Sequence, residues 1–295
     1  MKLLPLLLLP GLLLASPAQA AVKIFACEPE WAALATEIGG EQASVYTATS
    51  AQQDPHHIEA RPSLIAQVRK ADLVVCTGAG LEAGWLPVLL ARGANPVLKG
   101  ERLFFAAEKV QRLGVTGVAD RSKGDVHAEG NPHVHLDPQR MLQVGDALAA
   151  TLARIDSANA GHYRQRAGAL RTRIDSMLAT LPLAALRTRN YFVYHDAWQY
   201  LFAWLGATQA GTLEPLPGVP PSAQHLSRLA TQARTQPVDG ILHTGYDDRQ
   251  AVNWLAKQAG TCAIELPYTV GGNERARDLV SFYRELATRL EAGCR

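Results

Sequence analysis

Five of the nine histidines fall in three short segments: Asp54-Pro55-His56-His57, Asn131-Pro132-His133-Val134-His135-Leu136-Asp137-Pro138 and Tyr194-His195-Asp196-Ala197-Trp198. Near neutral pH an imidazole is largely uncharged, so a ring nitrogen can give its lone pair to a metal. Three neutral imidazoles form the usual protein set for zinc at about 2.0–2.1 Å, with one further position open to a carboxylate or water. Harder ions such as manganese and magnesium favour more oxygen. A site built from His56, His133 and His195 therefore leans to zinc. His57 and His135, each beside a candidate ligand, read as solvent-exposed or as outer hydrogen-bonding groups. His127, His162, His225 and His243 have no motif around them and are set aside.

Other chemistry finds weaker support. His133-Val134-His135-Leu136-Asp137 matches the start of a metallo-hydrolase motif, His-x-His-x-Asp-His, but Pro138 stands where its last histidine belongs. A secreted zinc hydrolase, with Glu265 or Asp196 as general base on a metal-bound water, is the weaker alternative. The chain has no Gly-x-Ser-x-Gly elbow, Walker loop or His-Glu-x-x-His pair. Gly78-Ala79-Gly80 is too short for a dinucleotide fingerprint and reads as a strand-ending turn.

The elements that must carry these histidines alternate. Val22 to Ala26, Ser44 to Thr47 and Leu73 to Thr77 are strand-like, with helical spacing from about Glu28 to Ile38 and from Pro62 to Arg69. From Pro138 to about Leu181 only helical spacing appears, with a break over Ser157 to Gly161. Strands resume at Tyr191 to Tyr194, Gly240 to His243 and Cys262 to Leu266. Such alternation predicts an α/β fold with parallel sheets and crossover helices. The expected domains are an N-terminal lobe over 21–156, a linker helix over 157–183 and a C-terminal lobe over 184–295. The histidine segments sit in loops after strands or just before helices, where open α/β sheets bind ligands. Asp137 is predicted to cap one of those helices, with Pro138 in its first turn, and Asp196 to cap another.

Composition narrows the class. The chain has 295 residues, 47% hydrophobic and 19% charged, which excludes a disordered or collagen-like chain; its net charge of +2 gives no reason to expect nucleic acid. Lys2, the apolar run Leu3 to Leu14 and Ala18-Gln19-Ala20 read as a signal peptide over 1–20, so the mature chain is expected in the periplasm. In that oxidising compartment the even cysteine count favours a Cys262–Cys294 bridge pinning the C-terminal helix. Cys27 and Cys76 are open between a second bridge and two buried thiols.

Together these segments resemble the metal-binding proteins of bacterial ABC importers, in their zinc-uptake branch. The likeness rests on Asp54-Pro55-His56 with Arg61-Pro62-Ser63, Ala71-Asp72-Leu73-Val74 before a glycine turn, Asn131-Pro132-His133 with Leu136-Asp137-Pro138, and Tyr194-His195-Asp196-Ala197-Trp198. The resemblance implies two α/β lobes bridged by a rigid helix, with one metal ion in the cleft. His56 and His133 would be ligands from the first lobe and His195 from the second. Manganese relatives carry glutamate at the third position, which strengthens zinc over a manganese or iron importer component of the same fold. The family's fourth ligand, an aspartate after the last strand, is matched only approximately by Glu265; Glu59, His135 or a water are the alternatives. The region Asp120 to Gly130 offers only Asp125, His127 and Glu129, where many zinc-branch members carry a long histidine-rich loop. A monomer that delivers Zn2+ to an inner-membrane ABC permease, catalysing no reaction, is what the resemblance implies.

Overall fold

The computed structural model describes residues 20–117, 124–125 and 127–294. The expected signal peptide therefore lies almost wholly outside the described residues, as do 118–123 and 126 of the loop before His133.

The first lobe runs β1 (Val22–Ala26), α1 (Pro29–Gly39), β2 (Ala43–Thr47), α2 (Pro62–Val68), β3 (Leu73–Cys76), α3 (Leu86–Gly93) and β4 (Leu103–Phe105). Two long helices follow, α4 (Pro138–Ile155) and α5 (Ala160–Leu178). The second lobe runs β5 (Asn190–Val193), α6 (Gln199–Leu205), β6 (Thr208–Thr212), α7 (Ala223–Thr235), β7 (Gly240–His243), α8 (Arg249–Ala259), β8 (Ala263–Glu265) and α9 (Leu279–Ala292). Both sheets are parallel throughout, in the orders β2-β1-β3-β4 and β6-β5-β7-β8. The two lobes thus repeat one topology.

Each sheet is covered on both faces because its strands bury alternate residues in opposite directions. In the first lobe Ile24, Leu73 and Val75 join the central core, while Phe25, Val74 and Cys76 face a separate cluster with Leu64 and Leu89 of α2 and α3. In the second lobe Tyr191, Val193 and Leu242 point to the same central core, and Phe192 and Ile241 pack with Leu226, Leu229, Val252 and Leu255 of α7 and α8. That central core is continuous from one lobe to the other. α5 contributes Tyr163, Ala167, Leu170, Ile174 and Met177 to it, all from one face, and packs on α1, α4 and α9. The break between α4 and α5 falls at Asp156, where Tyr163 donates to the Asp156 carboxylate at 2.6 Å.

Both cysteine pairs are bridged. Cys27–Cys76 ties the ends of β1 and β3, and Cys262–Cys294 ties the residue before β8 to the chain beyond α9. The second bridge closes a span of 32 residues in sequence. Loop entropy assigns a bridge of this span roughly 4 kcal/mol at most, and measured values centre on about 2–4 kcal/mol. Cys262→Ser with Cys294→Ser is therefore expected to lower stability by about 2–4 kcal/mol in chemical denaturation.

Candidate metal centre

Each of the three predicted ligands is aimed by a partner on its Nδ1 side. His56 lies in the turn after β2, where Asp54 Oδ1 accepts both its backbone N–H at 3.0 Å and its Nδ1–H at 2.7 Å. Burial alone would raise the Asp54 carboxyl, but its hydrogen bonds and charge pairing with His56, helped by His57, bring it down to about 2. His195 follows β5, and Glu214 Oε2 takes its Nδ1–H at 2.7 Å while also accepting the Gly218 backbone N–H at 2.9 Å. His133 precedes a short 3-10 turn, Val134–Leu136, that leads into α4. Asp137 caps that helix by accepting from Gln139 and Arg140, and Pro138 opens it. The His133 backbone N–H is held by Asn131 Oδ1 at 3.0 Å, and its Nδ1 lies 2.5 Å from the Tyr268 hydroxyl.

With the Nδ1 atoms engaged, the Nε2 atoms are left to converge. The ligand nitrogens of His56, His133 and His195 lie within 4.8 Å of one another. Their ring centroids are 5.2 to 5.7 Å apart. His133 is the deepest, 1% exposed, and its Nε2 is buried without a hydrogen-bond partner. Burial, reinforced by the facing His195 and His56, holds its pKa well below the ordinary histidine value. That imidazole stays neutral and keeps a lone pair available. A buried polar nitrogen left unpaired costs free energy, and a cation among the three rings would recover it.

The other candidates are placed elsewhere. Glu265 closes β8 with its carboxylate paired to Arg249 and its carbonyl accepting from Arg289, and it is not among the ligand atoms that gather with the three imidazoles. Glu59 is exposed on the loop before α2. His135 is buried with other partners: its Nε2–H donates to the Tyr268 carbonyl at 3.0 Å, and its Nδ1 lies 3.4 Å from Glu30 Oε1. The His133-x-His135 pair therefore does not present both rings to one ion, as the hydrolase motif requires. His57 is 65% exposed at its side chain, 3.5 Å from Asp125 Oδ2. Asp196 does not cap α6, whose first turn has no side-chain cap; its carboxylate instead takes the amides of Gln199 and Gln209 at 2.7 and 2.9 Å.

Three buried acids, Glu28, Glu30 and Glu82, carry no sequence motif. Glu30 accepts from Thr269 at 2.5 Å, and Glu28 accepts from Thr77 at 3.2 Å. Burial raises Glu28 well above the usual carboxylate range and Glu82 to about 7. Asp247, in the loop after β7, is likewise raised by burial to about 6 and acts electrostatically on His195. His127, set aside in the sequence, faces His56 across 3.2 Å.

The lobes meet directly around this centre. Asn131 donates to the Asp196 carbonyl at 2.7 Å, and Tyr200 of α6 donates to the Asn131 carbonyl at 2.7 Å. The Asp125 backbone N–H reaches the Pro217 carbonyl at 2.8 Å. A Cβ at Gly124 would lie 2.1 Å from that same oxygen, and Gly124 has φ +85°, so this crossing requires glycine.

A family model for the periplasmic zinc-uptake complex component A (ZnuA) matches residues 24–293. Among curated relatives, the zinc-binding lipoprotein AdcA of Streptococcus pneumoniae is 22% identical over 231 residues, 76% of this chain and 45% of its own length. The high-affinity zinc uptake system protein ZnuA of Yersinia pestis is 25% identical over 198 residues, 60% of this chain and 61% of its own. The chain thus spans about half the length of the curated relatives it matches. A crystal structure of ZnuA superposes with a TM-score of 0.74 at 23% identity, covering 93% of this chain and all of that one, a likeness of fold.

Proposed function

The chain belongs to the family of the periplasmic zinc-uptake complex component A, and from that premise we propose that it captures one zinc ion in the periplasm and hands it to an inner-membrane ABC permease. His56, His133 and His195 are the ligands in this reading, and zinc is cargo rather than catalyst. The observation that carries it is the convergence of three imidazoles, each held at Nδ1, around a centre where His133 Nε2 is buried and unpartnered. An all-nitrogen set of this kind suits zinc better than manganese, which seeks oxygen. Two lobes that both donate ligands, joined by a continuous core, allow an ion to be enclosed by a small adjustment and released by its reversal.

Metal analysis of protein isolated from the periplasm of cells grown without added zinc tests this. About one zinc per chain is expected. Manganese or iron as the dominant metal would overturn the zinc assignment, and recovery of the chain only from the cytoplasm would overturn the compartment.

A further inference from the structure

We infer that Tyr268, reaching in from the second lobe, is the positioning residue for His133, so that the deepest ligand is aimed while the two lobes are apposed; the inference rests on the zinc reading above. The pairing spans 135 residues of chain. His133 precedes α4, whereas Tyr268 lies beyond β8, and its hydroxyl stands 2.5 Å from His133 Nδ1. The two residues are 1% and 4% exposed, so bulk water does not compete for that bond. The Tyr268 ring lies edge-on to those of His133 and His135, with centroids 5.7 and 5.0 Å apart, and these contacts fix the direction of the hydroxyl.

The strap that carries Tyr268 is tied across the cleft along its length. The Tyr268 carbonyl accepts from His135 Nε2–H at 3.0 Å, Thr269 Oγ1 donates to Glu30 of α1 at 2.5 Å, and Gln52, after β2, donates to the Gly272 carbonyl at 3.2 Å. The His133 backbone has a crossing of its own. Asn131 Oδ1 accepts its N–H at 3.0 Å, and Asn131 Nδ2 donates to the Asp196 carbonyl, next to His195, at 2.7 Å. Ring and backbone of His133 are thus both referred to the second lobe. His56 and His195 differ: their partners Asp54 and Glu214 come from their own lobes, 2 and 19 residues away.

The partners also differ in chemistry. A carboxylate only accepts, so Asp54 and Glu214 keep the hydrogen of their rings on Nδ1 with or without an ion. A phenol donates or accepts, so Tyr268 does not choose the tautomer of the free His133 ring. Zinc at Nε2 places the hydrogen on Nδ1, and the Tyr268 oxygen accepts it. Without that oxygen the zinc-bound ring has a buried N–H with no acceptor, whereas the free ring can carry its hydrogen on Nε2. The loss therefore falls on affinity.

The test is a double-mutant cycle in the full-length mature protein: wild type, Tyr268→Phe, His133→Ala and the two combined, each titrated with zinc against a chelator. Tyr268→Phe keeps the aromatic ring and its packing. It is expected to weaken zinc binding by about 10–100-fold, the range that outer partners of metal ligands command, and by less than about twofold on the His133→Ala background. A structural role would give the same loss on both. Zinc should also slow hydrogen exchange at the Gly271 and Gly272 amides, bonded within the strap at 2.6 and 3.0 Å, more in wild type than in Tyr268→Phe. Equal slowing would overturn the link between ion and strap. Tyr268→Phe within about twofold of wild type, or an equal loss on both backgrounds, would overturn the positioning role, and zinc lost in His133→Ala would leave the three-histidine centre standing. Unchanged binding in His133→Ala would overturn that centre and this inference with it.

Discussion

Replacing His133 with alanine is expected to weaken zinc binding by roughly 100- to 1000-fold, the largest effect of any single substitution in this chain. Apparent zinc binding energies of about 10–16 kcal/mol spread over four ligands give about 2.5–4 kcal/mol for each. His133 should reach the top of that range, because it is the only one of the trio buried to 1% and its ring packs against both His56 and His195. Its neutrality is built in by burial, so removing it discards the ligand for which protons compete least. A flexible surface residue could not substitute at that depth. The metal-free protein should lose less: the substitution leaves the Tyr268 hydroxyl without its His133 partner and removes the ring contact with Tyr268, while the backbone N–H at 133 still donates to Asn131 Oδ1. Chelator competition and metal-free unfolding, run together, separate the two. An affinity within a few-fold of wild type would remove His133 from the ligand set.

How much of this was legible beforehand follows from what local sequence can encode. The parallel strands after which His56 and His195 sit, and the Asp137-Pro138 start of α4 behind His133, are local signals, and each stands where spacing put it. The bridges at Cys262–Cys294 and Cys27–Cys76 also stand, the second resolving an open choice. β4 and β6 were not read: the first is three residues long, and the second, Thr-Gln-Ala-Gly-Thr, lacks the apolar run that marks a buried strand. Asp196 looked like a cap because it precedes a helix, but α6 begins three residues later and the carboxylate bonds to side chains instead. His127 was invisible for a different reason. Its segment is polar and glycine-rich, and its position depends on contacts with Ala79 and on the Asp125–Pro217 crossing, none of which leaves a periodic trace. The buried acids Glu28, Glu30 and Glu82 fall in the same class: nothing local separates them from surface glutamates.

Zinc affinity should fall as pH drops through a range that begins above 6.5, and Glu214→Gln should move that range downward. Burial alone would push His195 below its ordinary value, but the Glu214 hydrogen bond and charge, with Asp54 and Asp247 behind, lift it above. A raised pKa means that the metal-free protein binds a proton at His195 where a free histidine has lost it. Zinc must displace that proton, so apparent affinity declines by about tenfold per pH unit once pH is below the raised value. The same pairing stabilises the metal-free fold: its contribution is fully present below the unfolded value near 6.5 and is lost as pH rises through the folded one. In Glu214→Gln the burial effect prevails and His195 titrates lower. The amide also makes the imidazole a poorer donor, costing about 10–100-fold in affinity at pH 8. Because the variant loses less to protons, the two affinity curves should draw together as pH approaches 5.5. Parallel curves between pH 5.5 and 8.5 would show that Glu214 only orients the ring and does not set its basicity.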